Sequence, residues 1–498
     1  MDYLNSIAYG FSIAFQPINL LYCFWGVFIG NLVGVLPGIG PGGTIALLLP
    51  FTLGMSPVAG VIMLAGIYYG AMYGGSITSI LVNIPGEAAS VVTCLDGYQM
   101  ARQGRAGPAL GISAFGSFIA GTLGVVGLMF FAKPFAKIAL RFGPPEYFSL
   151  MCLGLTMVVY LTQGSTIKGL ITAVAGFLLS QVGMDIVEAK SRFAFGLPQL
   201  YEGVDIIPVV MGLFGISEVL INMEGSGEIS IYKTKIKGLF PNLKDWGASI
   251  GPIFRGTVSG FLLGILPGGG SVVASFVSYA MEKRRSKHPE RFGKGAIEGV
   301  AGPESANNSA TAGAFIPLFT LGIPTNVIMA LLLGALMIHG VQPGPLMLRE
   351  RPEIFWGVVA SMYLGNIFLL ALNIPLIGIW VKLLKIPYRI MFPLILVFML
   401  IGAYNVNNSV FDLYVMLVFG ILGYLFRKFE FDPTPLTMTF ILGRILENSF
   451  RQSLLLSGGN LLIFFSRPIS AIAWVVALLL LISAISPSVK RLKAKLKE

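Results

Sequence analysis

The feature that most constrains this chain is an apolar stretch interrupted by prolines and glycines. No Asp, Glu, Lys or Arg occurs at positions 3–86, and the run 18–50 is long enough to cross a bilayer, for which ~20 helical residues suffice. Its centre, 34–43, holds Pro37, Pro41 and five glycines, which disfavour a continuous helix. Backbone groups left unpaired at membrane depth are tolerated only inside protein or beside a water-filled cavity. The turn is therefore expected to line a cavity.

A second copy of this pattern lies further along the chain. Residues 264–270 repeat the motif Gly-x-Leu-Pro-Gly-x-Gly, and Pro267 has the same place in the second copy as Pro37 in the first. Each copy is followed by an Ile-Pro step, at 84–85 and at 323–324. Paired interrupted hydrophobic segments in two halves of a chain indicate the binding site of a secondary transporter.

The composition is that of a protein that crosses the membrane many times. Of 498 residues, 55% are hydrophobic and 11% are charged, and the mean hydropathy is +0.81. The net charge of +11 arises mostly in short loops and the C-terminal tail, which fits positive-inside topology and argues against a nucleic-acid partner. We predict an all-α integral membrane protein of about 10 to 13 segments in the lipid bilayer.

The charge pattern predicts two inverted repeats built from broken helices or re-entrant helical hairpins. Residues 1–222 form the first half, 223–255 a cytoplasmic linker rich in lysine, and 256–498 the second half. Basic residues flank the second broken segment, 256–281, on both sides, whereas none flanks the first, so the two should enter the membrane from opposite faces. The basic tail 490–498 places the C-terminus in the cytoplasm.

Further elements follow from apolar runs. Positions 4–15 predict a short interfacial helix, and 440–456 an amphipathic helix. Spans are predicted near 58–82, 110–132, 148–161, 167–184, 206–221, 310–338, 356–383, 390–403, 411–425 and 469–485.

No set of residues typical of an enzyme is present. The two histidines, His288 and His339, are interpreted as a solvated loop residue and an interface residue. Cys23, Cys94 and Cys152 have no metal-ligand spacing and are interpreted as small core residues. The glycines at 38, 40 and 43 formally match a dinucleotide fingerprint, but they follow no soluble strand. We expect no catalysis and no cofactor beyond Na⁺ as a possible coupling ion.

The residues around the breaks suit the binding of an anion and a cation. A helix that begins behind a glycine turn offers free N–H groups to a carboxylate, and unwound carbonyls can coordinate a cation. The alternative is that the polar side chains only connect helices. The candidates for substrate binding are Gly38, Gly40, Gly42, Gly43, Ser76, Asn83, Gly268, Gly269, Gly270, Asn307, Asn308, Thr325 and Asn326.

Acidic residues near the breaks are candidates for the coupling-ion site. Glu87 and Glu304 lie beside apolar segments, where a charge is costly and indicates function, although either could simply cap a helix. The hydroxyls of Thr78 and Ser309 are added as possible ligands. A separate trio at helical spacing, Arg444, Glu447 and Arg451, predicts an internal ion-pair network.

The motifs around these residues resemble a known family. Seven stretches are similar to the large membrane subunit of the bacterial tripartite tricarboxylate transporters. They are 34–50, 69–78, 83–90, 96–105, 294–304, 340–345 and 456–460. The resemblance implies an inner-membrane symporter for a small organic carboxylate, driven by a cation gradient. It also implies a small membrane subunit and a periplasmic solute-binding protein as partners.

One departure from the family pattern concerns the substrate. After the second Ile-Pro step the family continues with small residues, whereas this chain has Val327, Ile328 and Met329. These bulky side chains predict a pocket of altered size or polarity. A gradient-independent anion pore and a membrane enzyme remain the alternative functions.

Overall fold

The structure is a computed structural model that describes residues 3–36, 40–161, 165–185, 188–224, 238–268, 270–384 and 388–485. Six of its helices are long and apolar enough to cross a membrane, and shorter apolar helices accompany them. The helices of the first half are α1 (Tyr3–Ala14), α2 (Pro17–Val35), α3 (Gly40–Leu48), α4 (Pro57–Val82), α5 (Val91–Arg102), α6 (Ala106–Ala139), α7 (Pro144–Leu161), α8 (Thr166–Ser180), α9 (Ile206–Val210) and α10 (Ser217–Glu224).

The first half also contains a π-helical turn and two short strands. The π-helical turn, Met211–Ile216, joins α9 to α10, and the strands β1 (Gly183–Met184) and β2 (Ser191–Arg192) form a small antiparallel hairpin. The helices that follow are α11 (Leu243–Ile265), α12 (Gly270–Arg285), α13 (Glu298–Leu321), α14 (Val327–Ile338), α15 (Met347–Glu350), α16 (Pro352–Asn373), α17 (Ile377–Leu383), α18 (Tyr388–Asn407), α19 (Val410–Lys428), α20 (Thr434–Leu456), α21 (Ile463–Ser466) and α22 (Pro468–Ile485).

Both predicted broken segments are interrupted as expected. The first consists of α2 and α3, and the second of α11 and α12. The second begins earlier than predicted, because α11 starts at Leu243, within the stretch interpreted as linker. The span predicted at 310–338 is two helices, α13 and α14, separated at the second Ile-Pro step. The remaining linker residues 225–237 and the tail 486–498 lie outside the described residues, so the cytoplasmic assignments stay predictions.

Each broken helix packs on a long helix through glycines at four-residue spacing. On α2 the contacts are Gly26 with Met63, Gly30 with Ile67, and Gly34 with Ala71; on α11 they are Gly256 with Gly302, Gly260 with Ala306, and Gly264 with Ala310. In every pair an added Cβ would overlap the carbonyl oxygen of the partner, so only glycine allows the approach.

These contacts relate the two halves position by position. We call the separation in sequence between Pro37 and Pro267 the hairpin offset, and the longer separation between Ile84 and Ile323 the break offset. The packing glycines of α2 and α11 are separated by the hairpin offset, and their partners on α4 and α13 by the break offset. The additional residues of the second half therefore lie between its broken segment and its long helix. The segment comprising α2, α3 and α4 is thus repeated as α11, α12 and α13.

The two breaks after the long helices differ in exposure. α4 ends at Asn83 and α13 at Gly322, and both residues adopt the left-handed conformation with φ of 59° and 68°. Asn83 and Ala88 are exposed, whereas the equivalent Gly322 is buried and Val327 is half-buried. One break is therefore more open than its counterpart in this conformation.

The predicted ion-pair network is present and extends beyond α20. Arg451 bonds to Asp185 at 3.1 Å and to Glu447 at 3.0 Å, and Arg192 of β2 bonds to the same two carboxylates. Arg444 instead donates to the backbone carbonyls of the segment around β1. The network therefore fixes the β-hairpin onto α20.

Candidate functional site

The second helix of each broken segment contacts the chain that follows the break of the other half. α3 of the first half packs against α14, which follows the break of the second half. In the same way α12 packs against the turn Ala88–Ser90, which follows the break of the first half. The two halves are therefore in contact near both breaks.

Glu87 caps the segment that follows the first break. Its Oε2 accepts a hydrogen bond from the N–H of Ala89 at 2.5 Å, and Ser90 completes a capping box. Its other oxygen accepts from the Asn307 amide on α13 at 3.2 Å. The Asn307 oxygen has no hydrogen-bond partner among the described residues, although the residue is 1% exposed.

Asn326 caps the helix that follows the second break. Its side-chain oxygen accepts from the N–H of Met329 at 3.0 Å, and its amide donates to the Tyr68 hydroxyl on α4 at 3.2 Å. The Tyr68 hydroxyl also lies beside the side chains of Ser271 and Thr311. Tyr68 is fully enclosed, with 1% of its surface exposed.

These two connections are equivalent under the internal repeat. The break offset separates Tyr68 from Asn307, and it also separates Glu87 from Asn326. In each connection a residue of one long helix therefore bonds to the cap at the break of the other half.

Glu304 lies next to this site on α13 and is 1% exposed. Its two oxygens accept from the hydroxyls of Ser76, at 2.5 Å, and Thr93. Among the described residues, no Lys, Arg or His forms an ion pair with Glu87 or Glu304. A buried carboxylate without a positive partner is unfavourable, so each group favours a bound cation or a proton.

The two glycine turns share a backbone conformation but differ in their surroundings. Gly40 and Gly270, which the hairpin offset relates, both have positive φ, of 66° and 46°. No described atom lies within 4 Å of a Cβ placed on Gly40 or Gly42, and Gly43 makes an ordinary contact with Gly215. The N–H of Gly268 donates to the Thr325 carbonyl at 2.8 Å, which joins the second turn to the second break. Gly38 and Gly269 lie outside the described residues.

Several predicted residues lie away from the two caps. Thr78 donates to the Val35 carbonyl at 2.5 Å, and Ser309 donates to the Thr257 carbonyl at 2.8 Å, so both hydroxyls connect packed helices. Asn308 donates to Ser117 on α6 at 2.7 Å and borders a small cavity on that side. Asn83 is exposed at the end of α4. Their roles as ligands stay predictions.

The bulky residues after the second Ile-Pro step lie in the first turn of α14. Val327 and Ile328 are half-buried, while Met329 is completely buried. The first two thus border accessible space beside Asn326, as expected for residues that could affect the shape of a pocket.

The sequence analysis did not identify Tyr68, Thr93 or Ser271. Tyr68 lies in an apolar helix and reads as a core aromatic, and the two hydroxyl residues are not next to a charge in the sequence. The break offset between the Ile-Pro steps, applied to Asn307, would have identified Tyr68.

Asp96 begins the family motif at 96–105, and in the structure it connects the two halves. Its carboxylate accepts from the N–H groups of Gly295 and Ala296, at 2.7 and 2.8 Å, and from the Tyr279 hydroxyl at 2.9 Å. Asp96 is completely buried. It thereby ties α5 to α12 and to the start of α13, the helix that carries Glu304 and Asn307.

The repeated broken helices define a multi-pass membrane protein whose two halves are joined by buried polar contacts. The family model described as the tripartite tricarboxylate transporter TctA family matches residues 20–438. The chain belongs to this family, and it is accordingly a component of a tripartite transport system.

Two relatives from Agrobacterium vitis are similar to the chain. An uncharacterized 52.8 kDa protein in the TAR-I ttuC′ 3′ region is 49% identical over 495 residues, which cover 99% of both chains. An uncharacterized protein in the TAR-II ttuC′ 3′ region is 51% identical over 231 residues, which cover 46% of this chain and 96% of the relative. No solved structure matches the chain.

Proposed function

We propose that this protein imports a small organic carboxylate across the bacterial inner membrane by symport with Na⁺ or H⁺. It acts together with a small membrane subunit, and a periplasmic solute-binding protein delivers the substrate. The C-terminus lies in the cytoplasm. Membership of a tripartite transporter family supports the arrangement of subunits.

The observation that carries the proposal is a pair of buried carboxyl groups, one at the first break and one within α13. Glu87 and Glu304 are 7% and 1% exposed, and their hydrogen-bond partners are hydroxyl, amide and backbone N–H groups. Such a site can hold a cation or a proton and release it when the surroundings change. A passive pore does not need a site that holds and releases a cation, since conduction requires only weak sites along an open path.

Uptake by reconstituted vesicles tests the proposal. The vesicles contain this chain and its small partner subunit, with the binding protein added outside and labelled mono-, di- and tricarboxylates offered in turn. We expect accumulation above equilibrium that depends on one inward gradient, of Na⁺ or of H⁺. Equilibration without either gradient would establish the pore, and the absence of flux for every carboxylate would contradict the proposed substrate class.

Glu87→Gln in the same vesicles tests the cation site. Glutamine keeps the oxygen that caps Ala89 but removes the charge, so we expect gradient-driven accumulation to fall at least about tenfold. Glu188→Gln is the matched control, because Glu188 is exposed and pairs only weakly with Lys190 at 3.5 Å. Equal losses in both variants would show that the effect is not specific to the site.

A further inference from the structure

The hydrogen bond between Tyr68 and Asn326 and the one between Asn307 and Glu87 are equivalent in position but different in chemistry. The side chains of Ser271, Thr311 and Asn326 lie beside the Tyr68 hydroxyl, and together with Thr325, the residue before Asn326, we name these residues the donor cluster. The equivalent positions in the other half, which we name the acid cluster, are Asn307, Pro41, Met72, Gly86 and Glu87. The hairpin offset relates Pro41 to Ser271, and the break offset relates the other four pairs.

The donor cluster brings together two helix N-termini and several hydroxyl groups. Ser271 lies in the first turn of α12, and Asn326 caps α14. The first N–H groups of each helix have no partner within the helix and carry partial positive charge. The Asn326 amide donates to the Tyr68 oxygen, and the hydroxyls of Ser271 and Thr311 lie beside the Tyr68 hydroxyl, so this point is rich in hydrogen-bond donors.

One buried hydroxyl of the donor cluster lacks a hydrogen-bond partner among the described residues. It is Thr325 Oγ1, in a side chain that is 0% exposed. Buried polar atoms are nearly always paired, so an unpaired donor at this point indicates a ligand that accepts hydrogen bonds. The cluster contains no acidic residue that could repel an anion.

The acid cluster has the opposite character. Glu87 replaces the neutral amide of Asn326, while Gly86, Met72 and Pro41 stand where the donor cluster has three hydroxyls. Proline also removes a backbone N–H from the first turn of α3. The unpaired buried atom here is the Asn307 oxygen, an acceptor rather than a donor. Together with the Glu87 carboxylate it offers oxygen ligands to a cation.

We infer that the donor cluster binds the carboxylate of the substrate and the acid cluster binds the coupling cation, with Tyr68 as a substrate-binding residue. This assignment rests on the proposed function and divides its site into two parts. The sequence repeat supplies two equivalent positions, and five substitutions have made one suited to an anion and the other to a cation.

The two clusters adjoin, which explains how their occupancies are coupled. Tyr68 and Met72 are one turn apart on α4, and Asn307 and Thr311 are one turn apart on α13. A cation and a carboxylate bound at these adjoining clusters attract each other strongly, because the interior is poorly solvated. A bound cation therefore raises the affinity for the anion, and the reverse holds by the same factor.

Tyr68→Phe tests the donor cluster directly. At saturating cation we expect the apparent affinity for the carboxylate to fall about tenfold or more, because a hydrogen bond to a charged group is lost. The concentration of cation for half-maximal uptake, at saturating substrate, should change less than about twofold. Tyr69→Phe is the matched control, since the neighbouring hydroxyl contacts the Ser361 carbonyl and Cys23 instead.

Thr325→Val provides a second test with a readout that does not depend on transport. Valine keeps the shape and removes a hydroxyl that bonds to nothing in the described residues, so the Tm of the purified protein should not fall. The rise in Tm produced by added carboxylate should shrink in the same variant. If the hydroxyl had only a structural role, the Tm of the variant would fall and the rise in Tm produced by carboxylate would be unchanged.

The outcomes separate this assignment from the proposed function. If the wild-type protein binds and accumulates a carboxylate, but Tyr68→Phe and Thr325→Val do so with unchanged affinity, the donor cluster is not the anion site. If the wild-type protein neither binds nor accumulates any carboxylate, the proposed function itself is wrong.

Discussion

Gly30 and Gly260 make the same contact in the two halves of the molecule. Gly30 lies against the carbonyl of Ile67, and Gly260, its equivalent in the repeat, lies against the carbonyl of Ala306. Because a methyl group fits at neither position, each broken helix and its long helix form a closely packed pair. The packing of the pair depends on backbone contact rather than on large side chains.

Gly260→Ala is therefore expected to destabilise the protein. The added methyl would overlap the Ala306 carbonyl, and overpacking of this kind costs about 1–3 kcal/mol. Thermal unfolding in detergent measures the effect. Gly247→Ala is the control on the same helix, since no described atom lies within 4 Å of its added Cβ, and alanine there should leave Tm unchanged or raise it slightly. Similar Tm values for both variants would contradict the close packing.

Removal of the Asp96 carboxylate should loosen the connection between the halves. Asp96→Ala leaves two buried N–H groups and a hydroxyl without their acceptor, and each buried group left unpaired costs about 1–3 kcal/mol. Tyr279→Phe removes only one of these hydrogen bonds and should cost less. Unfolding by heat, with both variants compared, provides the measurement. A larger effect of Tyr279→Phe would show that the backbone contacts of Asp96 contribute little.

Replacement of Arg451 should release the β-hairpin. Arg451→Met removes bonds to Asp185 and Glu447 and leaves the Asp185 carboxylate, which is 5% exposed, with fewer partners. We expect limited proteolysis within residues 188–203 to become severalfold faster. Lys190→Met is the control, because the pair of Lys190 and Glu188 is exposed and contributes little. Equal rates in both variants would contradict a role of the network in holding the hairpin.

His339 should make stability depend on pH. Its ring contacts Thr52 at 3.2 Å, and partial burial lowers its pKa below the usual value of about 6.5. The folded protein therefore binds fewer protons than the unfolded chain, so its contribution to stability is complete above about pH 6.5 and declines as the pH falls below that value.

The two histidines of the chain separate this effect from others. We expect His339→Gln to reduce the drop in Tm between about pH 7.5 and pH 5.5, whereas His288→Gln should not, because His288 is exposed in a loop. An identical pH response in the wild type and in His339→Gln would exclude the contribution of His339.

The interrupted helices could be predicted because their chemistry is local. Two prolines among five glycines at 34–43 break a helix wherever they occur, and the structure has the expected gap between α2 and α3. Charge-free runs likewise located α4 and α6, whereas the run predicted at 356–383 is two helices, α16 and α17. The start of α11 could not be found in this way, since its first turn is polar and depends on the capping box of Asn242 and Asp245.

The site could be predicted only in part because it forms between distant segments. Glu87 and Asn326 are polar residues at obvious breaks, Glu304 and Asn307 are polar residues within α13, and the sequence analysis named all four. Tyr68 meets Asn326 only because the two halves pack against each other, which no local pattern encodes. Thr78 and Ser309 look like ligands in the sequence, but their hydroxyls bond to backbone carbonyls of packed helices.

The unequal exposure of the two breaks bears on which conformer of the protein is more populated. Asn83 and Ala88 are accessible, while the equivalent Gly322 is buried and Val327 is half-buried. Exchange of these environments between the two related halves gives a second conformer with the opposite break uncovered. The ratio of the two conformers then depends on the positions where the halves differ, and each ~1.4 kcal/mol of bias changes that ratio about tenfold. Differences between the halves would thus set the resting orientation of the molecule as well as the identity of its ligands.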